Sequence, residues 1–250
     1  FSTQLTEFST IFHTLKAHRV PYWCANWRAS EEQNITDFYA HLEREPTCRW
    51  AFHYFPRLDG LMHYYGPQGA SKRLYWYEYE VRKMEAFLRE RDWDYDITIM
   101  SDHGMTPIHQ HINMVDYDGT KSLRWGKDYL ALYDATLARY WFLNEHARAH
   151  ITEALGNVDF GHWLTHEELE TEGLLFPDQR YGEAYFLMDP GVLIHPNDMG
   201  QNPPKGMHGY APEDKHSTAT ILSTHPKARK ILKNTPRINQ FYDLMASVCV

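Results

Sequence analysis

Apolar and polar positions along this chain follow several different periods, and each change of period predicts an element. Phe8, Ile11, Phe12 and Leu15 recur at helical spacing and predict an opening amphipathic helix. "VPYWCANW" (20–27) reads as a buried strand beside a proline, and "EEQNITDFYAHLERE" (31–45) as a helix. "RWAFHYF" (49–55) is aromatic-rich and alternating, as a second strand is. A long helix is expected from Ser71 to Arg91, with Leu74, Tyr77, Val81, Met84 and Leu88 on its inner face. It leads into "DITIM" (96–100), a short β-rich run that "SDHG" terminates.

This alternation of helix and strand predicts an α/β fold, a mostly parallel sheet with helices on both faces. Beyond Pro107 the pattern loosens. "DYLALYDATLARYWFL" (128–143) and "GEAYFLMDPGVLIHP" (182–196) read as strands, with a helical "EHARAHITEAL" (145–155) between them. The expected organisation is a core part over 1–109, a smaller inserted lobe over 110–205, and a return to the core over 206–250. The return carries a strand in "HSTATILST" (216–224) and a closing helix in "INQFYDLMASV" (238–248). In open α/β sheets ligands bind beyond the carboxyl ends of the strands, and Asp102 and His103 fall at such an end.

Composition narrows the function. The 250 residues carry a formal charge of −8 and no basic stretch, which argues against a nucleic-acid binder, although metal ions can reverse the local field for a phosphate ester. Cys24, Cys48 and Cys249 are odd in number and widely spaced, so neither a disulfide framework nor a structural zinc site is expected. No apolar run approaches the roughly eighteen residues of a membrane span. The opening residues show no initiator Met, basic stretch or apolar leader core. The expectation is therefore a truncated or processed chain, leaning to a reducing, cytoplasmic setting.

Three motifs carry chemistry. In "RLDGLMHYYGP", Asp59 and His63 stand four apart, so a helical turn puts both on one face where they can grip one ion. An N-capping Asp beside an unrelated surface His reads the same motif equally well. In "SDHGM", Asp102 and His103 end the apolar run. In "KGMHGYAP", His208 lies between Gly206 and Gly209, which let a loop approach a site closely. A carboxylate oxygen with imidazole nitrogens suits zinc or a similar divalent metal.

Taken together and in this order, the motifs resemble those of the alkaline phosphatase superfamily, most nearly its type I phosphodiesterase/nucleotide pyrophosphatase branch. The resemblance extends over nearly the whole chain. It implies two divalent ions, zinc first with manganese or magnesium as alternatives, about 4 Å apart and clamping an in-line displacement at phosphorus. Asp59, His63 and His208 would hold one ion, and Asp102 and His103 would contribute to the other, with Gly104 letting the strand end curl. It implies hydrolysis of nucleotide-type phosphodiester or pyrophosphate bonds through a covalent phospho-Thr or phospho-Ser intermediate. Phosphomonoesterase, sulfatase, phosphonate hydrolase and metal-dependent phosphoglycerate mutase activities are the alternatives within the superfamily. An inert metal-binding module, or a structural domain whose Asp and His motifs coincide by chance, stands outside it.

The family's second ion also takes an upstream Asp and the nucleophile oxygen. Here the only aspartate before Asp59 is Asp37, and Thr47, in "EREPTCRW", sits at the entry to a strand. The nucleophile and the first strand and helix are therefore expected on a preceding segment or a second chain. The expected partner is a small phosphate ester, with no membrane and no sequence-specific nucleic acid. The remaining candidates take blander readings. His109 and His111 share a strand face, Arg139 is a structural salt bridge or a solvated strand residue, and "LYWYEYE" (74–80) is core and helix surface. Asp214 and His216 belong to a polar turn, and Asn26 and Trp27 are candidate pocket walls at a strand end.

Overall fold

The computed structural model describes residues 9–232 and 237–249. The chain begins with α1 (Ile11–Ala17), β1 (Tyr22–Cys24), α2 (Glu31–Arg44) and β2 (Trp50–Phe52). Next come α3 (Arg57–Tyr65), α4 (Ser71–Arg89), β3 (Thr98–Met100), β4 (Thr106–Pro107) and β5 (Gln110–Ile112). The middle holds β6 (Tyr129–Tyr133), β7 (Leu137–Phe142), α5 (Glu145–Leu155), β8 (Gly161–Trp163) and α6 (His166–Thr171). It continues with β9 (Ala184–Met188) and β10 (Val192–Ile194), and β11 (Gly206–Met207), β12 (Ile221–Ser223), α7 (Ala228–Leu232) and α8 (Phe241–Ala246) follow. Phe8, placed by its spacing in the first helix, lies outside the described residues.

The contacts divide the chain into two units. The first comprises residues 1–57, 83–102 and 221–250, the second 58–82 and 103–220. The expected boundaries near 110 and 205 fall inside the second unit.

In the first unit β1 and β2 form a parallel pair, Trp23 opposite Ala51, and β12 returns antiparallel to β3, Leu222 opposite Ile99. Ser30 starts α2, its hydroxyl accepting from the Gln33 N–H, and the helix buries Ile35, Phe38 and Leu42 at helical spacing. Ile11, Leu15 and Val20 pack with Tyr22, Trp50 and Tyr242 in one cluster, and Ala228, Leu232, Phe241 and Leu244 in another. The closing helix expected from 238 is broken into a 3-10 turn, α8 and a second 3-10 turn. The long helix ends at Arg89 rather than Arg91, and of its expected inner face Met84 is buried while Leu74 is not. Leu74 is 51% exposed, and Glu80 and Met84 are its buried positions.

The second unit holds the larger core. β6, β7, β9 and β8 form an antiparallel sheet in that order, and Tyr140, Phe186, Ile151, Leu155 and Met188 are fully buried between it and α5. Each such large apolar side chain contributes about 1.5–3 kcal/mol through burial. β5 pairs in parallel with β10, and β4 antiparallel with β11. Among the described residues, then, the α/β class holds, and in place of the expected mostly parallel sheet the strands form two parallel pairs and three antiparallel sheets. The hairpin β6–β7 explains part of this: its three-residue turn at Asp134–Thr136 permits only antiparallel pairing.

Candidate metal centre

Helix α3 sets the geometry. Asp59 and His63 lie one turn apart on it, and the helix ends at Gly66, whose φ of +83° favours glycine. The Asp59 Oδ1 atom is 3.3 Å from His63 Nε2. His208, which follows β11, brings its Nε2 to 3.8 Å from the same oxygen, and His103 brings its Nε2 to 4.0 Å. The ligating atoms of Asp59, His63 and His208 all fall within 4.8 Å of one another.

Two observations fit a cation to this place. Asp59 Oδ1 is covered from solvent and accepts no hydrogen bond, although the side chain as a whole is 45% exposed. A buried carboxylate oxygen without a donor is costly unless a positive charge meets it. The ring orientation is the second. His63 Nδ1 donates to the Gly206 carbonyl at 2.8 Å, so in the neutral ring the lone pair is on Nε2, the atom that faces Asp59. His103 Nδ1 is likewise taken up by the Gly104 carbonyl at 2.8 Å. Zinc bonds of about 2.0–2.1 Å in tetrahedral geometry separate their ligand atoms by about 3.3 Å, close to the Asp59–His63 spacing.

Backbone packing holds the pieces in register. The Lys205 N–H donates to the His63 carbonyl at 2.7 Å, and a Cβ on Gly206 would stand 2.8 Å from the Met62 carbonyl. Only glycine lets β11 run this close to α3. Gly209, at φ +90°, turns the chain directly after His208, and its carbonyl accepts from the Thr136 hydroxyl at 2.9 Å. The His103 and His208 rings stack with centroids 3.7 Å apart.

The structure thus brings together Asp59, His63 and His208, with His103 against them. Asp102 is exposed in the first unit, past the end of β3. His111 faces His195 across 6.0 Å, Arg139 pairs with Asp134, and Tyr75 and Tyr79 are exposed on α4. In the first unit Cys24, Ala25, Asn26, Trp27 and Arg28 line a cavity of about 390 Å³, with Trp27 61% exposed. Buried Asn34 fixes that loop by exchanging hydrogen bonds with the Asn26 backbone. The three cysteines are free thiols. The feature of the centre that sequence reasoning missed is the Gly206 carbonyl, a backbone atom that no side-chain motif announces.

The family model of type I phosphodiesterase / nucleotide pyrophosphatase matches residues 8–211. The chain belongs to this family. No curated protein matches it in sequence. Among solved structures it is similar to mouse ectonucleotide pyrophosphatase/phosphodiesterase 5 (TM-score 0.67, 17% identity), with 86% of this chain and 63% of that one covered. An inactive threonine-to-alanine variant of the same mouse protein, in complex with AMP, matches at TM-score 0.73 and 16% identity, over 97% of this chain and 70% of that one. Phosphonoacetate hydrolase from Sinorhizobium meliloti, in complex with phosphonoformate, matches at 0.60 and 15%, over 87% and 56%. At such identities the likeness is one of fold, and the chain spans 63–70% of the length of the mouse structures. Among the described residues of this type I phosphodiesterase-family chain, no helix is long and apolar enough to cross a membrane.

Proposed function

We propose that this chain supplies a zinc centre for hydrolysis of nucleotide-type phosphodiester or pyrophosphate bonds, with Asp59, His63 and His208 as ligands. The single observation behind this reading is the convergence on Asp59 Oδ1, a covered oxygen with no hydrogen-bond donor and with imidazole nitrogens turned toward it. Three protein ligands leave a fourth position open, as a catalytic rather than structural zinc requires. When bound, the ion supplies Lewis-acid stabilisation of charge on the phosphoryl oxygens.

The chain's own residues orient that chemistry. Helix α3 delivers two ligands from one face, and the Gly206 carbonyl fixes the proton of His63 on Nδ1. From the motif resemblance, Asp102 and His103 are assigned to a second ion. From the same resemblance, the hydroxyl nucleophile is assigned to residues outside these 250. The AMP held by the mouse variant supports a nucleotide-type substrate.

Calorimetric titration with zinc tests the centre. The unaltered chain is expected to bind tightly, and Asp59→Ala and His208→Ala to bind at least a hundredfold more weakly. Equal affinity in all three proteins overturns the ligand set, and a stoichiometry of one is expected of this chain, because the remaining ligands of the second ion are assigned outside it. Substrate class is read on the longest available form of the protein, from rates on bis-nitrophenyl phosphate, nitrophenyl phosphate and nitrophenyl sulfate. The diester is expected to be fastest, and a faster monoester or sulfate ester assigns a different branch chemistry.

A further inference from the structure

The segment after His208 does more than close a loop. β11 lies against β4 on one side, Gly206 opposite Pro107 and Met207 opposite Thr106. Past His208 the chain turns and meets the same segment again, where the Gly104 N–H donates to the Ser217 carbonyl at 3.1 Å. The approach is so close that a Cβ on Gly104 would stand 1.9 Å from the His216 carbonyl oxygen. Residues 104–107, which follow His103 directly, are therefore held between the two arms of the loop whose bend carries His208.

One side-chain bond crosses between arm and segment. The Thr106 hydroxyl donates to Asp214 Oδ2 at 2.6 Å, and Thr106 is buried. The same carboxylate is oriented by its own turn, accepting from the His216 N–H at 3.1 Å and the Ser217 hydroxyl at 3.3 Å. Partial burial pushes the Asp214 pKa up, but the hydrogen bonds from Thr106, His216 and Ser217 outweigh it and the net direction is down. The turn expected from "PEDKH" is present, and its acid reaches beyond it.

We propose that Asp214 is a positioning residue for the metal centre. Through Thr106 it ties the segment that follows His103 to the loop bearing His208, and so keeps the two stacked rings in register beside Asp59. Backbone bonds also join the loop to residues 104–107, from Gly104 to Ser217 and across the β4–β11 pair, and Thr106–Asp214 is the side-chain link added to them; Thr136 on the Gly209 carbonyl and the Tyr210 hydroxyl on the Val192 carbonyl anchor the loop to different elements. The proposal rests on the reading of Asp59, His63 and His208 as a zinc centre.

The test measures zinc affinity, by competition with a chromophoric chelator, for the unaltered chain and for Asp214→Ala, Thr106→Val, Thr106→Ser and the Asp214→Ala/Thr106→Val pair. The visible absorption of the cobalt-loaded proteins gives an independent view of ligand geometry. Residues that orient metal ligands without touching the ion typically cost 10–100-fold in affinity when removed. Asp214→Ala and Thr106→Val are each expected to weaken zinc binding about tenfold and to alter the cobalt bands, with the pair no worse than either alone. Thr106→Ser keeps the hydroxyl and is expected to stay within threefold of the unaltered chain. If Asp214→Ala does not fold, the near-isosteric Thr106→Val carries the comparison. Zinc affinity and cobalt spectra unchanged in both single variants overturn the positioning role while leaving the centre in place. Failure of the unaltered chain to bind zinc overturns the centre itself, and the inference with it.

Discussion

Asp118 and Asp59 are aspartates of the same unit whose surroundings differ in what donates to them. Asp118 is fully buried and accepts from the Thr120 N–H at 2.9 Å, the Thr120 hydroxyl at 2.5 Å, the Tyr133 hydroxyl at 2.5 Å and the Tyr140 hydroxyl at 2.9 Å. Burial, followed by the nearby Asp118 charge, pushes both tyrosine pKa values up, so the phenols stay protonated and keep donating. Asp59 has its inner oxygen covered and undonated, with imidazole lone pairs aimed toward it. A carboxylate whose acceptor sites are filled by neutral donors is a fastener, and one left hungry among nitrogen bases is a place for a cation. Burial alone does not separate the two, but the census of donors does.

The largest effect expected from breaking this contrast comes from Asp118→Leu. It leaves a buried phenol, a half-buried phenol and a buried threonine without their acceptor, at a cost of roughly 3–5 kcal/mol. Urea denaturation reads the loss, and zinc affinity measured well below the melting temperature is expected to stay as in the unaltered chain. A near-neutral Asp118→Leu would show that the network fastens nothing.

His53, in the first unit, sharpens the comparison from the other side. Both of its ring nitrogens are buried and accept or donate no hydrogen bond, as at Asp59, but its neighbours are the rings of Trp23, Phe38 and Phe55. No lone pairs converge on it, so it is a packed neutral ring, and burial lowers its pKa from 6.5 to about 4. Between those values the unfolded chain binds a proton that the folded chain refuses. The stability from the neutral ring is therefore complete above about pH 6.5 and is lost as pH falls toward 4, by on the order of 3 kcal/mol. Melting temperatures of His53→Phe and the unaltered chain across pH 4–7 check this. A variant whose stability falls just as steeply removes His53 as the cause.

The smallest effect belongs to a carboxylate that is satisfied in solvent. At the start of α6, Glu168 Oε2 accepts from the Thr165 N–H at 2.7 Å, while the Thr165 hydroxyl accepts from the Glu168 N–H at 3.2 Å. Thr165→Ala is expected to cost about 1 kcal/mol in thermal unfolding, with no change in zinc binding. A loss as large as that of Asp118→Leu would mean that solvent exposure does not grade these networks.

The convergence of Asp59, His63 and His208 was legible because the motifs are local: four residues on a helix, a glycine on each side of a histidine. The helices over 31–45 and 145–155 were legible for the same reason, their apolar stripes repeating within one element. The sheet was harder to read. "RWAFHYF" yields only Trp50–Phe52 as strand, and "HSTATILST" yields Ile221–Ser223 lying antiparallel to β3. Strand direction depends on where the intervening chain re-enters, which apolar spacing does not encode. Leu74 failed as a core position because helical period defines a stripe but not where along the helix its cover ends. The Thr106–Asp214 bond joins residues far apart in the chain and leaves no local signature.

Helix α3 has no fully buried side chain, and its nine residues are fewer than the dozen or so a helix needs to persist alone in water. Its ties to the neighbouring strand are the backbone bond from the Lys205 N–H to the His63 carbonyl and the bond from His63 Nδ1 to the Gly206 carbonyl. An ion shared by Asp59, His63 and His208 would then act as a rivet between that helix and a distant loop. On that reading a chelator would be a conformational reagent for this chain, with the helix as its first target.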